Sequence, residues 1–152
     1  MMETIVLASG VFDLLHYGHV RYLEEAKRKG GRDAKLIVIV ARDRTVERKK
    51  GEKPIVPENQ RRALVEALEV VDEALLGYED LNLKRVIDKI KPSVVAVGYD
   101  QRGILDELED LISRGGYSFK IARIGRFGSD DLASSSKIKR KIVERWGVIS
   151  HE

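Results

Sequence analysis

The chain has 152 residues, 28 basic and 25 acidic, for a net charge of +3. That length supports one domain with a real hydrophobic core, and so small a net charge in so charged a chain is not a nucleic-acid-binding composition. The absence of cysteine excludes disulfides, thiolate zinc sites and a cysteine nucleophile together, and no apolar run approaches the length of a membrane span.

In chain order, the apolar run Ile5 to Ala8 has the length and branching of a buried parallel strand. It is too short for a signal peptide and follows an acidic residue, so a soluble, cytoplasmic protein is expected. After it, residues 10 to 19 read Gly-Val-Phe-Asp-Leu-Leu-His-Tyr-Gly-His, and Val20, Leu23 and Ala26 begin a helical face. Leu36 to Ala41 is a second strand, followed by a long loop from Arg42 to Pro57. Ala63, Leu64, Ala67 and Leu68 share a helix face, and Val70 to Leu76 is a weak strand interrupted by Asp72 and Glu73. Leu83, Val86, Ile87 and Ile90 make another helix, stopped by Pro92. Val94 to Val97 is a strand; Leu105, Leu108, Leu111 and Ile112 form a helix stripe closed by Gly115-Gly116. Phe119 to Ile124 is the last strand, and Ile138, Ile142 and Trp146 mark the last helix.

Strands alternating with helices predict an α/β fold. We expect a single Rossmann-like domain over residues 1–152, with a mostly parallel five-stranded sheet covered by helices on both faces. Such sheets bind ligands beyond the carboxyl ends of the strands, where the strand order reverses. Ser9 to His19, Arg42 to Pro57, and Gly98 to Gly103 all follow strand ends and can converge there.

Four constellations stand out. In the first, His16 and His19 flank Gly18 in a strand–loop–helix context. A histidine there can simply cap or pack. Beside Gly10, Val11 and Phe12, however, two imidazoles and open backbone N–H groups can also hold an anion and stabilise charge on a phosphate undergoing substitution. The second is Ser134-Ser135-Ser136-Lys137, followed by Lys139-Arg140-Lys141. It reads either as a capped helix with a solvated basic face, or as hydroxyls, N–H groups and a lysine arranged for a polyphosphate. The third, Gly98-Tyr99-Asp100-Gln101, is either a turn or a set of contacts to a nucleotide's base or ribose. In the fourth, Asp43, Arg44, Arg48, Lys49, Lys50 and Lys53 concentrate in the long loop. They are either a solvated basic segment or a grip on a second, phosphate-bearing substrate, with Arg61 pointing back at the same phosphates.

His16-Tyr17-Gly18-His19 matches the H-x-G-H signature of the cytidylyltransferase-like nucleotidyltransferases, and Gly10-Val11-Phe12-Asp13 matches their G-x-F-D. Ser134-Ser135-Ser136-Lys137-Ile138 stands where that superfamily carries I-S-[ST]-T. Within it the chain most resembles the short archaeal FAD synthases, through Val40 to Glu47, Lys50-Gly51, Pro54 to Pro57 and Gln60-Arg61-Arg62. The resemblance implies transfer of AMP from ATP to FMN, giving FAD and pyrophosphate, with a divalent cation, magnesium. It also implies small-molecule partners and pairing as a homodimer, while the small net charge, the six per cent aromatic content and the lack of a long apolar run lead us to expect no nucleic acid and no membrane partner.

The alternatives are glycerol-3-phosphate cytidylyltransferase, or another CTP-dependent transferase of a phosphate ester, and a non-catalytic nucleotide-binding module. The cytidylyl segment R-T-[DE]-G-I-S-T-T would align with Ser129 to Ser136, where its arginine is missing from register.

On this resemblance His16, His19 and Lys137 are the expected catalytic residues. The histidines would donate to the α-phosphate, and Lys137 with Ser134, Ser135 and Ser136 would hold the β and γ groups. Gly10, Val11, Phe12, Gly18, Gly98 and Asp100 complete the expected nucleotide site. Asp43, Lys50, Lys53 and Arg61 are expected on the acceptor. Asp100, Asp130 and Asp131 are candidate metal ligands, with no ligand set assigned.

Overall fold

The computed structural model describes residues 3–80, 82–127 and 134–147. Five strands form one sheet: β1 (Ile5–Gly10), β2 (Lys35–Val40), β3 (Glu73–Leu76), β4 (Val94–Gly98) and β5 (Lys120–Ile124). Their spatial order is β3-β2-β1-β4-β5 and every pairing is parallel. The order therefore reverses between β1 and β4. Six helices accompany the strands: α1 (Tyr17–Arg28), α2 (Asp43–Lys50), α3 (Glu58–Glu66), α4 (Leu83–Ile90), α5 (Arg102–Ser113) and α6 (Ser135–Trp146).

The central strands are nearly continuous runs of branched residues because both faces are covered. On one face Val6, Ala8, Leu36, Val38 and Ala96 pack against Leu23 and Ala26 of α1 and Val65 of α3. On the other, Leu7, Ile37, Val95 and Val97 pack against Val86 and Ile87 of α4 and Leu108 and Leu111 of α5. Alternate strand residues thus feed two separate cores, as the period-two geometry of a strand requires.

Two expected segments come out differently. The weak strand starting at Val70 is shortened to Glu73–Leu76. Asp72 explains this: its Oδ2 accepts the Leu36 N–H at 2.7 Å and pairs with Lys27 at 3.0 Å, so the residue caps the start of β2. The expected long loop from Arg42 to Pro57 contains helix α2, ended by Gly51 at φ +85° in the left-handed conformation glycine supplies. Only Thr45 and Val46 of that helix are buried, too short a stripe to show as an apolar period. Its basic end, Arg48, Lys49 and Lys50, lies in the last helical turn, where cations offset the negative end of the dipole.

The pairing of β1 with β4 is short. Val6 stands opposite Val94 and Leu7 opposite Val95, yet β1 runs on to Gly10 and β4 to Gly98. Beyond those two pairs the strand ends part, and the crevice so opened lies at the switch point of the sheet.

Candidate functional site

The loop from β1 to α1 is held in an unusual shape. Phe12 and Leu14 have φ of +56° and +50°, a region that side-chain-bearing residues avoid at a cost of about 1–2 kcal/mol each. The surroundings over-determine it. Phe12 is buried, with its ring 5.4 Å from that of His19. A Cβ at Gly10 would come within 2.9 Å of the same ring, so only glycine fits beneath it. Asp13, 6% exposed, accepts the backbone N–H groups of Ile55 at 2.8 Å and Val56 at 2.9 Å. Burial pushes its carboxyl up, but the Val56 and Ile55 donors, with Lys139 and Arg61 nearby, outweigh that and hold it below the usual carboxylate value.

Asp13 also joins the two ends of the chain. Its carbonyl accepts the Ser135 hydroxyl, and its Oδ2 lies 3.7 Å from Lys139 Nζ. The N-terminus of α6 is thereby set beside the loop that starts α1. Neither helix has an acidic residue in its first turn. At α2 and α3 the opposite holds: the Asp43 N–H donates to Glu58 Oε1 at 2.8 Å and the Glu58 N–H donates to Asp43 Oδ2 at 3.3 Å. Those two helix starts are capped by carboxylates, while α1, capped only by neutral imidazoles, and α6, with no side-chain cap, keep a positive potential for an anion.

His16 is the N-cap of α1 and His19 its third helical residue. The His16 N–H donates to His19 Nδ1 at 3.1 Å, and the two rings stack at 3.8 Å between centroids. With Nδ1 accepting, the ring hydrogen of His19 belongs on Nε2, which is then a donor. Desolvation, with His16 against it, depresses the His19 pKa to about 4, despite the opposing pull of Asp13. Burial lowers that of His16 as well. His16 Nδ1 is buried and makes no full hydrogen bond among the described residues, but the side chain is turned to the His19 backbone N–H in a capping-box arrangement, which places its own ring hydrogen on Nε2.

An imidazole titration by NMR should therefore show His19 as the neutral Nε2–H tautomer, unchanged from pH 8 to 5, with a midpoint near 4. Because the folded value lies below the unfolded one, the neutral ring adds stability above the ordinary histidine pKa. That contribution drains away as pH falls towards the folded value. A midpoint near 6.5 would show the ring to be solvated.

The other expected residues divide. Gly98 ends β4, with Asp100 exposed just beyond it, its Oδ1 3.3 Å from where a Cβ on Gly98 would stand. Ser134 is the N-cap of α6 with no capping bond from its side chain, Ser136 is exposed and Lys137 half-buried. Lys50 and Lys53 are exposed.

Asp43 and Arg61, expected on the acceptor, are instead committed to the fold. Arg61 is 0% exposed. Its Nε donates to Val56 O at 2.8 Å, Nη1 to Val11 O at 2.7 Å and Ala41 O at 2.8 Å, and Nη2 to Asp43 Oδ1 at 2.6 Å. No donor remains to turn outward at solvent except the fifth N–H. Asp130 and Asp131 lie outside the described residues. Among the described residues no cluster of three or more His, Asp or Glu side chains is arranged to hold a metal, and no helix is long and apolar enough to cross a membrane. Asp13, Gln101 and Lys139 lie within stretches that the sequence picked out, but no role was expected of them there. For Asp13 the G-x-F-D match was the signal available.

The cytidylyltransferase-like family model matches residues 7–141, a span that takes in both the histidine loop and the serine–lysine helix start. The chain belongs to the cytidylyltransferase-like family. An FAD synthase of Methanobrevibacter smithii is 45% identical over 90% of this cytidylyltransferase-like chain and 89% of its own. An FAD synthase of Thermoplasma volcanium is 45% identical over 93% of this chain and 96% of its own. A crystal structure from Thermoplasma volcanium, described as a lipopolysaccharide core biosynthesis protein, is 41% identical. It superposes with a TM-score of 0.74 over 84% of this chain and all of that one.

Proposed function

We propose that this protein is an FAD synthase that transfers AMP from ATP to FMN, releasing pyrophosphate. The observation that carries the reading is the 45% identity to named FAD synthases over nine-tenths of the chain. The junction at Asp13, where two helix starts with no acidic residue in their first turns meet beside a histidine pair, is the geometry such a reaction needs.

An oxygen of the FMN phosphate attacks the α-phosphorus of ATP; the new P–O bond forms as the bond to the bridging oxygen breaks, and pyrophosphate leaves with that electron pair. The attacking phosphate is already largely ionised near neutral pH, so no general base is required. Positioning and charge stabilisation supply the rate. His19 Nε2–H and His16 Nε2–H donate to the α-phosphate oxygens. The first N–H groups of α1, around Tyr17 and Gly18, and the left-handed loop at Phe12 face the same charge. Ser134, Ser136, Lys137 and the start of α6 hold the β and γ phosphates and stabilise the departing group. Lys50 and Lys53 remain candidates for the FMN phosphate.

Asp13 is occupied by Ile55 and Val56, and of the candidate carboxylates only Asp100 lies among the described residues, exposed beside Gly98. That donor set fits magnesium carried by the triphosphate with most of its water shell, where it would neutralise phosphate charge, with Asp100 the residue to hold it.

The test is a matrix of ATP and CTP against FMN, glycerol 3-phosphate, phosphocholine and phosphoethanolamine, read by pyrophosphate release. ATP with FMN is expected to dominate. Turnover of CTP with a different phosphate ester would replace this reading with a cytidylyltransferase. Nucleotide binding without release in any pair would leave a binding module.

A further inference from the structure

Gln101 occupies the N-cap position of α5, yet its side chain makes no capping bond there. It reaches across the switch point instead. Its Oε1 accepts the Gly98 N–H at 2.8 Å, and its Nε2 donates to the Ser9 carbonyl at 2.9 Å, joining the ends of β4 and β1. The Tyr22 hydroxyl backs the bridge, at 3.4 Å from both Gln101 Oε1 and the Ala96 carbonyl. Registered pairing of these strands stops at Leu7 and Val95. A continued ladder would join the Gly98 N–H and Ser9 C=O groups directly. A side-chain amide carries the same donor and acceptor as a peptide group. Gln101 thus replaces a direct rung with a longer one, and satisfies both backbone groups while the strands stand apart.

We propose that Gln101 is a positioning residue that sets the width of the β1–β4 crevice, and with it the seat of the nucleotide between Gly10 and Gly98. The inference rests on the reading of this site as an ATP site. The bridge fixes the Gly98 backbone and hence the place of Asp100, and it fixes the Ser9 carbonyl one residue before Gly10. Its contacts are to the nucleotide side of the sheet, away from Lys50 and Lys53, so the two substrates should respond differently to its loss.

Q101E and Q101N separate the two halves of the rung. Glutamate is isosteric and keeps the acceptor for Gly98, but as a carboxylate it cannot donate to Ser9 and repels its carbonyl. Asparagine is too short to span the gap. Each variant is expected to raise KM for ATP by ~10-fold, with kcat within about 3-fold, KM for FMN unchanged and melting within about 3 °C of the parent chain. In Q101N the Gly98 amide should also lose protection from hydrogen exchange. Wild-type KM for ATP in both variants overturns the proposal. So does a parallel change in both KM values with a lower melting temperature, which would mark a merely structural residue.

The parent chain's own behaviour distinguishes the two readings. If it releases no pyrophosphate but binds ATP by calorimetry, and Q101E weakens that binding ~10-fold, the function falls and the rung stands. If the parent chain binds no ATP, both fall.

Discussion

Replacing His19 with asparagine is expected to lower the turnover of AMP transfer by ~10²-fold or more, with little change in melting temperature. The choice of asparagine follows from the two jobs the ring does. Nδ1 accepts the His16 N–H at 3.1 Å and so ties down the start of α1. Nε2–H makes no hydrogen bond among the described residues and is the donor offered to a phosphate. The Oδ1 of asparagine stands close to where Nδ1 was and keeps the first job. Nothing in that side chain reaches as far as Nε2, so the second is lost alone. Alanine removes both and should add about 1 kcal/mol of destabilisation from the lost cap. Glutamine places an amide N–H near Nε2 and is expected to recover part of the rate.

If the donor acts chiefly on the five-coordinate state, kcat and kcat/KM fall together in H19N, and KM for ATP changes little. A depressed pKa matters here, because the ring stays neutral and donates through Nε2 across the whole range from neutral pH down to about 5. Near-normal turnover in H19N would remove His19 from the chemistry and return it to a capping role.

The sheet was legible because its central strands are dense runs of branched residues, and the parallel order follows from their alternation with helices. The exceptions have local causes. Asp72 is spent on the Leu36 N–H, which displaces the start of β3, and α2 buries too few residues to write a period into the sequence.

The site divides along the same line. The histidine pair and the serine–lysine segment announce themselves by residue type and spacing. The Asp13 junction, which brings residues 122 apart in sequence into contact, depends on tertiary packing that no spacing shows. Arg61 and Asp43 mislead for a related reason: on a basic stretch near a strand end, an arginine that faces a phosphate and one buried against carbonyls look alike. Only its 0% exposure and its acceptors tell them apart. Gln101 falls in the stretch after β4 that the sequence marked, but its bridge carries no signal, since it exists only because β1 and β4 part after Leu7 and Val95.

The largest loss of stability is expected at Arg61. Methionine in its place keeps much of the volume and removes all four bonds, to Val56, Val11, Ala41 and Asp43. Three carbonyls and the Asp43 carboxylate are then left in a partly dry environment. Breaking a buried pair by removing one partner costs about 3–5 kcal/mol, or roughly 10 °C of melting temperature in a domain of this size. Lysine should restore less than half, because a point charge on a flexible stem cannot meet four acceptors that the planar guanidinium reaches at once. Adding Asp43→Asn to the methionine variant relieves the unpaired charge and is expected to recover some of the loss, a coupling that a double-mutant cycle reads directly.

Activity should fall as well, at temperatures where the variant remains folded. The two ends of a trans peptide group point in opposite directions. By holding the Val11 carbonyl inward, Arg61 turns the Phe12 N–H away from itself, out of the cluster of carbonyls it binds. Without that hold the loop loses one of the constraints that keep Phe12 at φ +56°, beside its buried ring and the bonds of Asp13, and can relax towards an unstrained conformation. KM for ATP should then rise more steeply than KM for FMN. A melting temperature within about 2 °C of the parent chain in R61M would contradict this account. It would mean that the four bonds contribute little beyond what Val56, Val11, Ala41 and Asp43 find in water.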